Sequence, residues 1–206
     1  MNFSVRPMEP EDIPQVAKIE LEALPTTWPP TSFKRELGNR LARYLVACAQ
    51  GDEQAVGSAP QSAAKPSLET SRPLIRRLLE SIHGLFASPP EVVQQQQDFV
   101  AGYVGLWFAV DEAHIISIAV REAHRRLGVG ELLLIGVVEL AMARRAQRVT
   151  LEARVTNFPA HALYEKYGFQ RTGTRKRYYA DNHEDAVIMT ADSILSPSYQ
   201  DLFHER

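Results

Sequence analysis

Between Arg125 and Gly130 the chain reads Arg-Arg-Leu-Gly-Val-Gly, and a proline-free, largely apolar run from Glu131 to Ala146 follows. Glycine belongs where the backbone must turn sharply or let something come close, so the stretch predicts a tight loop feeding a helix N-terminus. The first N–H groups of a helix have no partner in the helix and carry partial positive charge, which suits an anion. A dinucleotide fingerprint, G-x-G-x-x-G, fails here because Leu133 stands where the third glycine is required, and Glu152 lies inside the next strand rather than at its end. A P-loop fails because the Lys-Ser/Thr pair is absent. What remains is Arg-x-x-Gly-x-Gly: either successive N–H groups from 126 to 131 cup a pyrophosphate, with arginine beside it, or the segment is a plain glycine-rich turn.

Other residue types with chemical capacity are few. In Val-Thr-Leu-Glu-Ala-Arg-Val, the odd positions 149 to 155 are apolar, which puts Glu152 on one strand face with Thr150 and Arg154. It is a proton acceptor or a surface carboxylate paired with Arg154. Tyr164 stands one helical turn before Gly168, as a proton donor or as core. Asn157 precedes Phe-Pro in the position of a helix N-cap. The single cysteine, Cys48, lies within an apolar strand and reads as a small core residue. His83 and His114 lack ligand-spaced partners, so no metal site is expected.

These residues need elements to hold them. The pattern predicts a strand over 3–8, a helix after Glu9-Pro10-Glu11-Asp12, a second short helix ending near Gly38, and a strand over 42–49. Strands over 99–110 and 114–120 flank Asp111-Glu112 as a hairpin. The glycine loop and helix come next, then a strand over 148–155, a helix over 158–167 ending at Gly168, a strand over 170–180 and a last strand over 185–191. The order is that of a mixed α/β sheet. Residues 51–72 are rich in Ser, Ala, Gln, Gly and Pro and read as linker. An amphipathic helix over 73–87 follows. The expected organisation is one domain over 1–195, interrupted by a 51–98 insertion, with a C-terminal tail over 196–206.

The totals fit an ordinary globular protein. The chain has 206 residues, 45% hydrophobic and 23% charged, with a formal net charge of -2. Nothing global argues for nucleic acid or an anionic membrane. The opening MNFSVRPMEPED lacks the basic-then-apolar layout of a signal peptide, and no apolar stretch reaches the roughly 18 residues of a membrane span. With one cysteine, no intrachain disulfide can form. The cytoplasm is the expected compartment.

The stretches "ISIAV", "RRLGVGELLL", "LEARVTN", "ALYEKYGF" and "RYYADNHEDAVIM", with "WPPTSFKREL" and "RYLVA" nearer the N-terminus, resemble the GNAT family of acyl-CoA N-acetyltransferases, in family order over about three quarters of the chain. Within it they are similar to the ribosomal-protein-alanine (RimI) type. The resemblance implies a GNAT fold: a mixed central sheet with splayed parallel strands, flanked by helices. It implies acetyl-CoA as co-substrate and no metal. Ile118, Ala119 and Val120 would pair with pantetheine. Arg125, Arg126, Leu127, Gly128, Val129, Gly130 and Glu131 would hold the pyrophosphate, and Asn157 would touch the cofactor. Glu152 would be the base, directly or through a water, and Tyr164 the acid that protonates the thiolate. Trp28, Tyr178 and Tyr179 would line the acceptor groove. The implied acceptor is a protein N-terminus, an N-terminal alanine of a small-subunit ribosomal protein; the alternatives are a small amine or a lysine side chain on the same fold, or a non-catalytic acyl-CoA-binding module. The insertion lies outside the family pattern. Its helix is expected to dock on the parent domain, or else to form a homodimer contact, a lid or a partner surface.

Overall fold

The computed structural model describes residues 2–23, 30–50 and 98–206. The linker and amphipathic helix expected between 51 and 97, and Trp28, lie outside the described residues. Among the described residues seven strands form one sheet in the order β1-β2-β3-β4-β5-β7-β6. They are β1 (Asn2–Pro7), β2 (Ala42–Gln50), β3 (Phe99–Ala109), β4 (Glu112–Val120), β5 (Arg148–Arg154), β6 (Gln170–Arg175) and β7 (Ala186–Ala191). Every neighbouring pair is antiparallel except β4 and β5. The helices are α1 (Ile13–Ala23), α2 (Phe33–Leu37), α3 (Val129–Ala143), α4 (Phe158–Lys166) and α5 (Pro197–His204).

Strands β2 and β3 of the sheet are covered on both faces. Alternation along β2 shows how. Leu45 and Ala47 enter one core, with Leu133, Leu134, Val137 and Val138 of α3. Tyr44, Val46 and Cys48 enter the other, with Val16 and Ile19 of α1 and Phe33 of α2. A strand buried on both faces reads as a continuous apolar run, as "YLVACA" does. Cys48 is buried and free, as its position implied.

Three elements depart from the expectations. The strand expected over 170–180 ends at Arg175. Arg177 has a φ of 53° and donates its N–H to Asp185 Oδ1 at 2.8 Å, so the chain turns and Tyr178 and Tyr179 lie in a loop. The expected tail over 196–206 instead contains α5. Ser196 caps it by accepting from the Tyr199 N–H at 3.3 Å, Pro197 occupies its first turn, and Tyr199 and Phe203 join the α3-side core. The long helix starts at Val129 rather than Glu131, with Gly128 as its N-cap.

The parting of β4 and β5 has a local cause. At their starts the two strands are tied by the Asp111 carbonyl, which accepts from Gln147 N–H at 2.6 Å and Arg148 N–H at 3.3 Å. Four residue pairs follow, from Glu112↔Arg148 to Ile115↔Leu151, and there the ladder stops. On the other side of β4, Leu106 pairs with Ile115 and Gly105 with Ser117, so Ile116 is an extra residue. A bulge bends the strand that carries it. β4 therefore turns away from β5 one residue after their last shared pair.

Candidate active site

A groove of about 1470 Å³ opens where the strands diverge. Ile118, Ala119 and Val120 of β4 border it, and their edge toward β5 carries no ladder. Such an edge offers main-chain donors and acceptors to an added extended ligand.

The loop that leads into α3 meets this groove through Arg125 and Arg126. Gly128 has a φ of 82°, and a Cβ there would meet nothing within 4 Å. It brings no side chain to cap the helix, so helix geometry leaves the N–H groups of Val129, Gly130 and Glu131 without an intrahelical acceptor. Arg126 also adopts a left-handed conformation, with φ of 64°. Arg125 and Arg126 line the groove, while Leu127 is exposed. The Glu131 side chain turns away from the loop and accepts from Lys166 Nζ at 2.5 Å and Tyr167 Oη at 2.7 Å; only its main chain remains for an anion. This Arg-x-x-Gly-x-Gly turn thus presents bare amides beside two guanidinium groups, the requirements for holding a diphosphate.

Glu152 sits where the wedge opens. Its side chain is only 6% exposed. Oε2 lies 2.8 Å from His114 Nε2, and Oε1 accepts from Arg175 Nε at 2.8 Å. Hydrogen bonding to His114 holds the carboxyl below its ordinary range, with Arg175 adding to this. The same bond raises His114 above the usual imidazole value. Arg154, the surface partner that the strand pattern offered, goes elsewhere: it forks onto Asp181 with both contacts at 2.9 Å, reaches Glu184 at 3.1 Å and stacks on Tyr179 at 3.9 Å.

Tyr164 of α4 borders the same groove and is buried. Burial raises its phenol well above the ordinary tyrosine range, and the neighbouring Tyr179 adds to that. Protonated near neutrality, it is a donor. Asn157 caps α4, accepting from the Ala160 N–H at 3.3 Å, and also lines the groove.

Tyr178 and Tyr179 border the far end of the groove, ring edge to ring face, with centroids 5.2 Å apart. The acids of their loop are occupied internally. Asp181 and Glu184 hold Arg154, and Asp185 holds Lys176 at 2.8 Å. They build the loop rather than offering free charge to a basic peptide.

His114 was not singled out as a proton carrier from the sequence. Its partner, Glu152, is 38 residues away, and only the parallel register His114↔Thr150 sets them on one face. The alternation Glu112-Ala113-His114-Ile115 was the available signal. Glu20 was also missed. It is buried, borders the groove, and accepts from Thr31 N–H at 3.0 Å and Thr31 Oγ1 at 2.5 Å. Among the described residues no group of three or more His, Cys, Asp or Glu could hold a metal ion, and no helix is long and apolar enough to cross a membrane.

Comparison with known proteins agrees with this geometry. Residues 13–169 match the profile of the acetyltransferase (GNAT) family. A protein of Bacillus subtilis (strain 168), provisionally assigned as a ribosomal protein bS18-alanine N-acetyltransferase, is 33% identical over 187 residues, covering 90% of this chain and 93% of that protein. An N-alpha-acetyltransferase of Sulfolobus acidocaldarius is 30% identical over 192 residues, 93% of each chain. Among solved structures, the ribosomal-protein-S18-alanine N-acetyltransferase from Escherichia coli superposes with a TM-score of 0.62 at 22% identity, over 93% of this chain and 94% of that one.

Proposed function

The chain belongs to the acetyltransferase (GNAT) family, and from that premise we propose that it moves acetyl from acetyl-CoA to the N-terminal α-amine of a protein, with the N-terminal alanine of a small-subunit ribosomal protein as acceptor. The observation that carries this reading is the parting of β4 from β5 after Ile115 and Leu151, with His114 of β4, Glu152 of β5 and Tyr164 of α4 all bordering the groove that opens there. The alanine acceptor is supported by the assignments of the Bacillus and Escherichia relatives, and α-amine chemistry also by the archaeal one.

The residues present fit acetyl-CoA. The open edge of β4 suits an extended arm, and the bare amides of 129–131 with Arg125 and Arg126 suit its diphosphate. When bound, acetyl-CoA supplies an activated thioester within reach of an amine. The protein then has two protons to manage. A protein α-amine has a pKa of about 8 and a thiol about 8.5, so near neutrality the amine arrives as an ammonium. Glu152 takes the first proton, directly or through a water. Its own basicity is weakened by His114 and Arg175, and the proton comes to rest on His114, whose basicity Glu152 raises; the two titrate as a unit. Tyr164 gives a proton to the departing sulfur. A positioned base or acid supplies about 10²–10⁴-fold each, and alignment in the wedge supplies much of the remainder. Tyr178 and Tyr179 wall the acceptor end.

The test is thiol release from acetyl-CoA with three peptides: one starting with alanine, its N-acetylated twin, and one whose only free amine is a lysine side chain. Turnover with the first alone supports the proposal. Turnover confined to the lysine peptide, or none at all, would overturn it. Mass spectrometry of ribosomal-protein N-termini after incubation would then identify the acceptor.

A further inference from the structure

Acetylating an ammonium releases one proton per turnover. The amine enters with three protons and leaves as an amide with one; the thiolate takes one and the other must reach solvent. The groove is filled by both substrates when this happens, so the proton needs a way out that does not cross them.

The sheet has such a way. Glu112, two residues before His114 on the same face of β4, has its Oε1 3.6 Å from His114 Nδ1, on the ring edge opposite the one that meets Glu152. Glu112 borders the substrate groove and also a second cavity of about 650 Å³. That cavity is lined by polar side chains on the same strands and the turn into α5, among them Arg148, Thr150, Thr190 and Ser196. Its lining has room and hydroxyls to hold water. His114 is thus flanked by two carboxylates, one facing the amine and one facing a separate outlet.

We propose that Glu112 is a positioning residue for acetyl transfer: it orients and supports His114 and passes the proton taken from the acceptor ammonium into the second cavity. This rests on the N-acetyltransfer reading above. The ammonium N–H bond breaks and the proton moves through Glu152 to His114 Nε2. The imidazolium gives its Nδ1 proton to Glu112 through a water bridging the 3.6 Å between them, and Glu112 releases it to the water of the second cavity. After the product leaves and water refills the groove, the ring tautomers re-equilibrate. No redox partner or further reactant is required. The charged and titratable groups around His114 are Glu112 on its own strand, Glu152 and Arg148 on β5, Arg175 on β6, Tyr178 in the next loop and Glu36 of α2. Arg148 is drawn toward Asp111 and Asp192, and Glu36 accepts from Trp107, the cross-strand neighbour of His114. Only Glu152 and Glu112 contact the ring as ion-pair partners among the described residues.

The experiment compares full-length wild type with Glu112→Gln and Glu112→Asp. Rates are measured with acetyl-CoA and an alanine-start peptide between pH 5.5 and 9, and the His114 ring is titrated by NMR on labelled histidine. In Glu112→Gln the His114 pKa and the acid limb of kcat should both move down by about 1 pH unit. The plateau kcat should fall roughly tenfold, with both KM values unchanged, and millimolar imidazole buffer should restore much of it. Glu112→Asp should fall between. An unchanged pH profile and His114 pKa would overturn the proposal, as would a loss of kcat without any pKa shift or with matching rises in KM. If wild type itself acetylates no α-amine, the functional reading fails first, and the His114 titration still decides whether Glu112 acts on the ring.

Discussion

At the scale of single residues the site is a set of matched pKa shifts. His114 is raised by Glu152, and Glu152 is lowered by His114. The ion pair between them stands only between the two values: it is lost below the depressed carboxyl pKa, as Glu152 gains a proton, and above the raised imidazole pKa, as His114 loses one. A pair already holding its proton cannot take another, so kcat should rise with pH through a midpoint above the ordinary imidazole value. Glu152→Gln removes both the acceptor and the cause of that shift. We expect kcat to fall by about 10²-fold or more, the His114 midpoint to drop, and the acetyl-CoA Kd by calorimetry to stay unchanged; a fully active variant would remove Glu152 from the mechanism. Tyr164→Phe deletes only a hydroxyl. Its kcat should fall by about 10²-fold, with thermal stability close to wild type because the ring still packs on Phe169. Glu152 and Tyr164 were legible as proton carriers only through the family resemblance; strand and helix position alone left a surface carboxylate and a core tyrosine as the readier readings. That His114 and Arg175 hold the carboxylate was not legible, because both arrive from other strands.

At the scale of elements, two local backbone features make the site. One is the left-handed Gly128 at the head of α3. A side chain in that conformation carries strain of roughly 1–2 kcal/mol, and relieving it would rotate the amides that follow. Gly128→Val should therefore lower the melting temperature slightly and weaken acetyl-CoA binding at least tenfold by titration, whereas Gly130→Ala should fold normally, since a Cβ there meets Val120 and Leu163 only at 3.8 and 3.9 Å. The other feature is the bulge at Ile116. The glycines announced the first. Nothing in the run "HIISIAV" announces the second, because a bulge is decided by which residues face it across β3. The loop after β6 is similar: alternation extends the strand through Tyr179, while the pairing of Lys176 and Arg177 with Asp185 ends it at Arg175. The helix α5 had its signals, Ser196-Pro197 followed by Tyr199, Leu202 and Phe203 at helical spacing, and these needed only to be read as a cap and an apolar face.

At the scale of the whole molecule, the seven described strands pair into one continuous sheet. β2 and β3 are antiparallel neighbours, with Ala49 opposite Phe99, so a four-residue turn can join Gln50 to Asp98. We propose that the 51–98 segment is an insertion in the family domain. The shortened protein should fold, bind acetyl-CoA as the full chain does and retain thiol release; loss of peptide turnover alone would instead give the segment a part in holding the acceptor. The sequence by itself determined the order of the seven strands and of the helices before α5, the glycine-headed helix and the residue types able to move protons, because periodicity, turn chemistry and capping are local. Only the tertiary structure decided that β4 and β5 run side by side for four residue pairs and then part, and that Glu152 meets His114 and Arg175 rather than Arg154. Strand register and a bulge depend on contacts between segments dozens of residues apart, and a proton path exists only once those segments share a face.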